Sequence, residues 1–372
     1  MTEVSTGDGN VVLCKTEGGE TVYRDETSIV AVLPPGRAVL STSWLNGGYR
    51  EGIRMVFNHH LSEDACRSDA LEGGSVEGYL RLTAARLGFD PDLSTGMLTK
   101  ADMCNAATVT HTFRDLTVTA VVTGGIEANG GRAGDPASFY EENGEFGDAG
   151  GTINTLLIIG ASLPPETMAR TVMMAAEAKA SVLQELMAPS CYSAGIATGS
   201  GTDMITIVSN PAHPLYLTNA GKHAKLGELI GRCVREATRD ALARQTGLGP
   251  ASQHNMLVRL ARFGIGEEDF WEAAAALPGV QDRVSFLAAL RVRATDPVLV
   301  AATAAVLHIA DEVAWGLVPD EAGRQAVCSM MTGIPAAIGI KRPVRPDGFC
   351  TGNGMIPEEW VRFVVWWIEY GP

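Results

Sequence analysis

The sequence predicts an α+β fold, a layered α/β sandwich with a mixed sheet, followed by a mainly helical C-terminal region. Three observations carry this. The first third alternates short apolar runs with Gly- and Pro-rich turns. From Pro164 onward long helical patterns alternate with short buried runs. Beyond Gly249-Pro250 only helical patterns remain. With 372 residues, and about 150 per domain as a soft prior, two domains are expected. The change in composition puts their boundary near residue 248, giving 1–248 and 249–372.

The elements follow in order. Val11-Val12-Leu13 and Thr21-Val22-Tyr23 flank Glu17-Gly18-Gly19-Glu20, a hairpin signal. Ser28 to Leu33 is an apolar strand stopped by Pro34-Pro35, and Ala38 to Ser43 is another. After Asn46, the helical spacing of Tyr49, Ile53, Val56 and His60 predicts a helix. A second helix runs from Ser75 to Gly88, with a cap residue at each end. Thr108 to Phe113 and Leu116 to Thr123 are strands; in the latter Leu116, Val118, Ala120 and Val122 alternate with mostly polar neighbours. The Gly-rich stretch from Gly124 to Gly151, with Asn129-Gly130-Gly131-Arg132-Ala133-Gly134-Asp135, is long enough to suggest a functional or mobile loop. Gly151 to Ile159 reads as a buried strand, and Pro164 to Met187 as a helix opened by Ser162 and Pro164-Pro165. Met204 to Val208 is a strand, and Leu226 to Gln245 a helix closed by Gly247. Residues 251–317 hold three helical patterns, one opened by Asp296 and Pro297. A loop from Ile340 to Gly354 precedes an aromatic helix with Trp360, Phe363, Trp366 and Trp367.

Composition narrows the function. Hydrophobic residues at 46% and charged residues at 19% exclude disorder, a coiled coil and a disulfide mini-scaffold. With 29 basic and 43 acidic residues the formal charge is −14, which repels nucleic acid and anionic membrane. A neutral or cationic small molecule is the expected partner. The seven cysteines are scattered with no C-x-x-C pair, so no zinc ribbon or thioredoxin-type site is indicated, and free thiols suit a reducing cytoplasm. Met1 to Asn10 lacks a signal-peptide pattern. The apolar stretch Val298 to Ala310 has 13 residues, short of the roughly 18 that suggest a membrane span. A soluble cytoplasmic protein is expected.

No phosphate-binding P-loop, zinc-protease or nucleophile-elbow signature occurs. On a helix the adjacent His59 and His60 would diverge by about 100°, one buried and one solvated, and His213 and His223 are weak ligand candidates, so no metal site is assigned. What stands out is a set of polar–Gly segments at strand ends: Ser41 to Gly48, Gly151 to Asn154, and Ala197 to Asp203. Such loops cradle oxyanions with backbone amides or simply turn the chain. Within the Pro164–Met187 helix, Met168, Val172, Ala175, Val182, Leu183 and Leu186 form an apolar stripe. Lys179 falls in its middle, where it either snorkels to water or serves a buried site. Glu177 lies nearly opposite, on a face suited to solvent or a salt bridge.

The Ser41–Gly48 segment with Asn46-Gly47-Gly48, the Val122–Arg132–Gly134 stretch, Gly151-Thr152-Ile153-Asn154, Glu177-Ala178-Lys179, Ala197-Thr198-Gly199-Ser200-Gly201-Thr202-Asp203 and Leu226 to Ile230 occur in that order. Together they resemble the adenosylcobinamide amidohydrolases, the CbiZ family of corrinoid salvage, over roughly residues 25–245. The resemblance implies hydrolysis of the amide joining the aminopropanol arm of adenosylcobinamide to the corrin ring. The cobalt corrinoid is then the substrate, and no cofactor is implied. An amidohydrolase acting on another corrinoid or a siderophore, and a non-catalytic corrinoid-binding protein, are the competing readings.

Amide hydrolysis needs a nucleophile or activated water, an acid for the leaving amine and oxyanion donors. Thr152 is the candidate nucleophile, Asp203 or Glu177 the base, Lys179 the acid or electrostatic partner, and Asn46 or Asn154 the oxyanion donor. Ser43, Gly47, Gly48 and Arg132 are expected to bind substrate with Asn46 and Asn154, as are Thr198, Gly199, Gly201 and Thr202. Cleavage at Gly151-Thr152, freeing a threonine amine as base, is a further option. The tryptophans near the C-terminus read as core, or as a lid or the subunit contact of a homo-oligomer.

Overall fold

A computed structural model describes residues 4–5, 10–62, 71–137, 140, 152–277, 280, 282–337, 349–350, 352 and 354–370. The chain divides into two compact units, residues 1–249 and 250–372.

The first unit contains two six-stranded sheets. One follows the order β1 (Val4–Ser5), β2 (Val11–Lys15), β3 (Thr21–Arg24), β4 (Ser28–Val32), β7 (Met55–His60), β8 (Ser94–Thr99). The other follows β6 (Gly48–Glu51), β5 (Ala38–Ser41), β14 (Met204–Ser209), β12 (Thr152–Ile159), β10 (Leu116–Gly125), β9 (Ala107–Phe113). Each is mixed: β7 pairs parallel with β8, and β12 parallel with β14, while the remaining neighbours run antiparallel. Helices α2 (Pro165–Glu185) and α3 (Lys225–Thr246) cover one face of the second sheet, and α1 (Val76–Arg86) covers the first.

The side chains explain this four-layer order. Val118, Ala120 and Val122 of β10 point into the helix-covered core with Met168, Val182, Leu229 and Val234, whereas Val121 points between the sheets. Strand β12 is buried along its whole length. Ile153, Leu157 and Ile159 face the helices, while Leu156 and Ile158 meet Val22, Ile29 and Val56 of the opposite sheet. Each such aliphatic burial is worth about 1.5–3 kcal/mol. Caps fix the helix ends. Ser75 Oγ accepts from Gly78 N at α1, and Gly247, at φ 70°, ends α3. Pro164, with no side-chain cap, opens α2. Ser162, expected to open that helix, instead pairs with the Leu215–Leu217 segment through its backbone.

The helix expected after Asn46 is absent: this stretch forms β6 and β7. Its apolar spacing misleads because β7 is buried on both faces. Met55 and Phe57 pack towards α1 and Val56 packs between the sheets, which erases the two-residue alternation. His59 and His60 therefore alternate across a strand, and both are half-buried. Strand β8, which the sequence does not announce, lies beside β7, with the Phe57 ring over Gly96; a Cβ there would stand 2.1 Å from the ring.

His59 sits between Ser28 Oγ, 2.8 Å from Nδ1, and Tyr79 Oη, 3.4 Å from Nε2. Burial pushes its imidazole below the ordinary value, outweighing the pull of Asp25. The unfolded chain therefore binds a proton that the folded one resists, and stability is lost as pH falls through about 6.5. Urea midpoints at pH 7.5 and 5.5 should show the drop, and His59→Gln should shrink it. An undiminished drop in the variant would assign it to other groups.

The second unit is helical: α4 (Met256–Leu260), α5 (Glu267–Ala275), α6 (Arg283–Arg293), α7 (Pro297–Ala314), α8 (Asp320–Ala337) and α9 (Ile356–Tyr370). Among the described residues of this unit four helices, not three, lie before residue 317, because the short α4 is capped by Asn255 on its own. Asp296 caps α7 as expected. Trp360 and Trp367, 0% and 2% exposed, pack with Phe270 and Phe363 in this unit's own core. Trp360 Nε1 donates to Thr303 Oγ1 at 2.9 Å. That corrects the lid or subunit-contact reading for these two residues.

Arg262 holds Asp311 through two hydrogen bonds of 2.8 and 2.6 Å in the interior. Cys328 and Cys350 are disulfide-bonded, correcting the reading of all seven cysteines as free thiols; Cys14, Cys104, Cys191 and Cys233 are free. Among the described residues α7 is the one helix long and apolar enough to cross a membrane, 18 residues against the 13 expected. It buries Leu299, Val306 and Leu307 in the unit's core. Cys66 and most of the Ile340–Gly354 loop lie outside the described residues.

Candidate active site

The parallel pairing of β12 and β14, with Asn154 opposite Met204, sets the first residues of both strands side by side. Thr152 opens β12, and Asp203 immediately precedes β14. Between them in the chain, α2 turns Met168, Ala175 and Val182 into the core and carries Lys179 on the same stripe. Lys179 does not reach bulk water. Its Nζ forms an ion pair with Asp203, both side chains only 11% exposed.

Asp203 is fully engaged. Its carboxylate accepts from Lys179 Nζ, from Ser200 N at 2.9 Å, from Ser200 Oγ at 2.6 Å and from Ile153 N at 2.8 Å. Four donors fill the sites that two carboxylate oxygens offer, so this group orients Lys179 and has no open position for a substrate proton. Gly199 is pressed against the pair: a Cβ there would lie 2.4 Å from Asp203 Oδ2 and 2.7 Å from Lys179 Nζ. Beside it, the Thr152 and Thr202 hydroxyls share a 2.7 Å hydrogen bond. Thr152 is 3% exposed and Thr202 half-buried, so Thr202 is the accessible end of that pair.

A two-stranded ribbon, β11 (Gly130–Gly131) with β13 (Gly199–Ser200), ties the Gly-rich loop to this centre. Thr198 N donates to Gly131 O, and Thr198 Oγ1 accepts from Ala133 N, both at 2.9 Å. Arg132 is exposed at the next position, with its backbone N 2.8 Å from Asp135 Oδ2. Gly201 is exposed in the same turn. The expected residues Thr152, Lys179, Thr198, Gly199, Thr202 and Asp203 thus converge. Gly151 and most of the loop beyond residue 137 lie outside the described residues.

Other expected residues do different work. Glu177 faces away from Lys179 on α2 and pairs with Lys222, both side chains exposed. Asn46, left-handed at φ 49°, gives both amide hydrogens to Pro91 O and Ser94 O at 2.8 and 2.7 Å. Ser43 Oγ donates to Gly96 O, and Gly47 cannot carry a side chain because a Cβ would lie 2.1 Å from Ser43 O. With Gly48 at φ 77°, this segment is a tightly bonded corner between strands. Asn46 has no hydrogen left for an oxyanion.

Asn154 is similarly committed. Nδ2 donates to Asn58 Oδ1 and Leu98 O, both at 2.8 Å, and Oδ1 accepts from Met204 N at 3.2 Å. Asn58 in turn donates to Thr123 Oγ1. This clamp, in which Asn154 is 1% exposed, fastens the sheets together. Asn154→Ala should cost about 3 kcal/mol by leaving several buried groups unpaired. Urea unfolding followed by circular dichroism would measure it, and a loss below about 1 kcal/mol would remove the clamp from the account. Asn58 carries no sequence signal of its own; only its partners reveal it.

The family model described as adenosylcobinamide amidohydrolase matches residues 13–250. The chain belongs to the adenosylcobinamide amidohydrolase family. The matched span of this family ends where the second unit begins and contains every residue of the converged centre. An uncharacterized protein of Methanocaldococcus jannaschii is 34% identical over 221 residues, covering 56% of this chain and 83% of its own length. A Pyrococcus horikoshii protein of known crystal structure aligns at 14% identity over 63% of this chain and 82% of its own, with a TM-score of 0.32.

Proposed function

We propose that the family domain hydrolyses the amide linking aminopropanol to the corrin ring of adenosylcobinamide, giving adenosylcobyric acid and aminopropanol in corrinoid salvage. One observation carries the reading. Within the matched span, a desolvated Lys179–Asp203 pair is pressed on Gly199 beside the coupled Thr152–Thr202 hydroxyls.

Hydrolysis adds OH to the carbonyl carbon and a proton to the amide nitrogen. In this reading a hydroxyl of the threonine pair adds to the carbonyl carbon, and the C–N bond then breaks. The hydroxyl proton passes to the departing aminopropanol nitrogen. Water cleaves the resulting ester, which restores the threonine and releases the acid. Lys179 supplies positive charge where the carbonyl oxygen becomes an anion, the usual source of a large share of such catalysis. Asp203 holds Lys179 in place. The cobalt ion travels with the substrate.

The test is anaerobic incubation of the purified full chain with adenosylcobinamide in dim light, followed by mass spectrometry. Adenosylcobyric acid and aminopropanol in equal amounts are expected. Intact adenosylcobinamide after prolonged incubation would overturn the reading.

A further inference from the structure

Asn129 breaks the pattern of complete pairing around the site. It ends the turn from Ile126 to Gly130, closed by the 2.7 Å bond from Gly130 N to Ile126 O, and immediately precedes β11. Asn129 is 4% exposed, yet among the described residues neither Nδ2 nor Oδ1 has a hydrogen-bond partner. A buried amide left unpaired at both ends is destabilising, and folded chains seldom keep one without a use. Asn46, Asn58 and Asn154 in the same unit satisfy their amides with protein groups.

Position gives the orphan amide a meaning. Asn129 leads into β11, whose partner β13 contains Gly199, the residue against which the ion pair lies. A Cβ on Gly201 would stand 3.7 Å from Asn129 Nδ2, and Gly201 is itself exposed. The only residue between Gly201 and Asp203 is Thr202.

We propose that Asn129 is a substrate-binding residue that recognises a carboxamide of the substrate. Its N–H donates to the ligand carbonyl and its Oδ1 accepts from the ligand N–H, once the Gly201 peptide shifts aside. A carboxamide is the ligand group that satisfies both free ends of an asparagine at once. The inference rests on the proposed amidohydrolase reading and adds to it a second amide contact, apart from the bond that is cut. Contact with an uncut amide is equal in ground and transition states, so its loss appears in KM and spares kcat.

The experiment measures adenosylcobinamide hydrolysis and thermal unfolding by circular dichroism for the full chain, for Asn129→Leu and for Gly201→Val. Asn129→Leu should raise KM at least about tenfold, leave kcat within about twofold and hold or raise Tm, since an unsatisfied buried group has been removed. Gly201→Val, which puts a branched side chain over the amide, should reproduce the KM rise. Wild-type KM in both variants, with an active parent, would overturn the inference and leave the reaction standing. So would a Tm loss of several degrees in Asn129→Leu, because it would reveal a structural partner. An inactive parent chain would instead overturn the reaction, and the substrate contact with it.

Discussion

On the proposed reaction, Lys179→Met should lower kcat/KM for adenosylcobinamide about 10³-fold, the scale of losing an oxyanion partner. Methionine keeps the length and apolar stem on α2, so Ala175 and Val182 keep their neighbour. Asp203 retains Ser200 N, Ser200 Oγ and Ile153 N as donors. The stability cost is therefore about 2 kcal/mol, below the ~3–5 kcal/mol of a buried ion left without any partner. Steady-state kinetics with unfolding measured in parallel separates the two effects. Activity within tenfold of the parent would place the ion pair in the architecture alone.

Gly199→Ala is the second large effect. The added carbon would overlap the positions of Asp203 Oδ2 and Lys179 Nζ, so one of the two charged groups must move. A displacement of about 1 Å is enough to cost roughly 10²-fold in rate, and overpacking adds about 1–3 kcal/mol of destabilisation. The combination of large rate loss with intact far-ultraviolet circular dichroism is the expected result. An alanine variant with parental kcat would mean that the pair tolerates displacement and does not act on the substrate.

Much of the architecture is legible from local pattern. The alternation in β10, the capped α1 and α7, and the helix ending at Gly247 each follow from chemistry within a few residues. Strands β7 and β8 are illegible for a physical reason. When both faces of a strand are covered, as for Met55, Val56 and Phe57, no polar residue marks the alternation. The candidate site is half legible on the same grounds. Lys179 declares itself as a charge within an apolar stripe, and Thr152, Gly199 and Asp203 lie in strand-end motifs. The sequence cannot say which asparagines are already satisfied. Asn46 and Asn154 look like free donors until Pro91, Ser94, Asn58 and Leu98, distant in the chain, arrive to take their hydrogens. Asn129 sits in a Gly-rich loop that gives it no distinction, and only the missing partner does.

The crossover β12–α2–β14 assembles Thr152, Lys179 and Asp203 from three consecutive pieces of chain, and the parallel pairing of β12 with β14 sets Thr152 beside Thr202 and Asp203. Closing such a loop comes late in folding, since its entropy is lost before the contacts reward it. Five of the six tryptophans, Trp271, Trp315, Trp360, Trp366 and Trp367, belong to the second unit, and only Trp44 to the first. Intrinsic fluorescence therefore reports chiefly on the unit that lies outside the matched family span. A sample judged native by its fluorescence has thus been checked chiefly in the second unit, and not in the first, where Lys179 meets Asp203.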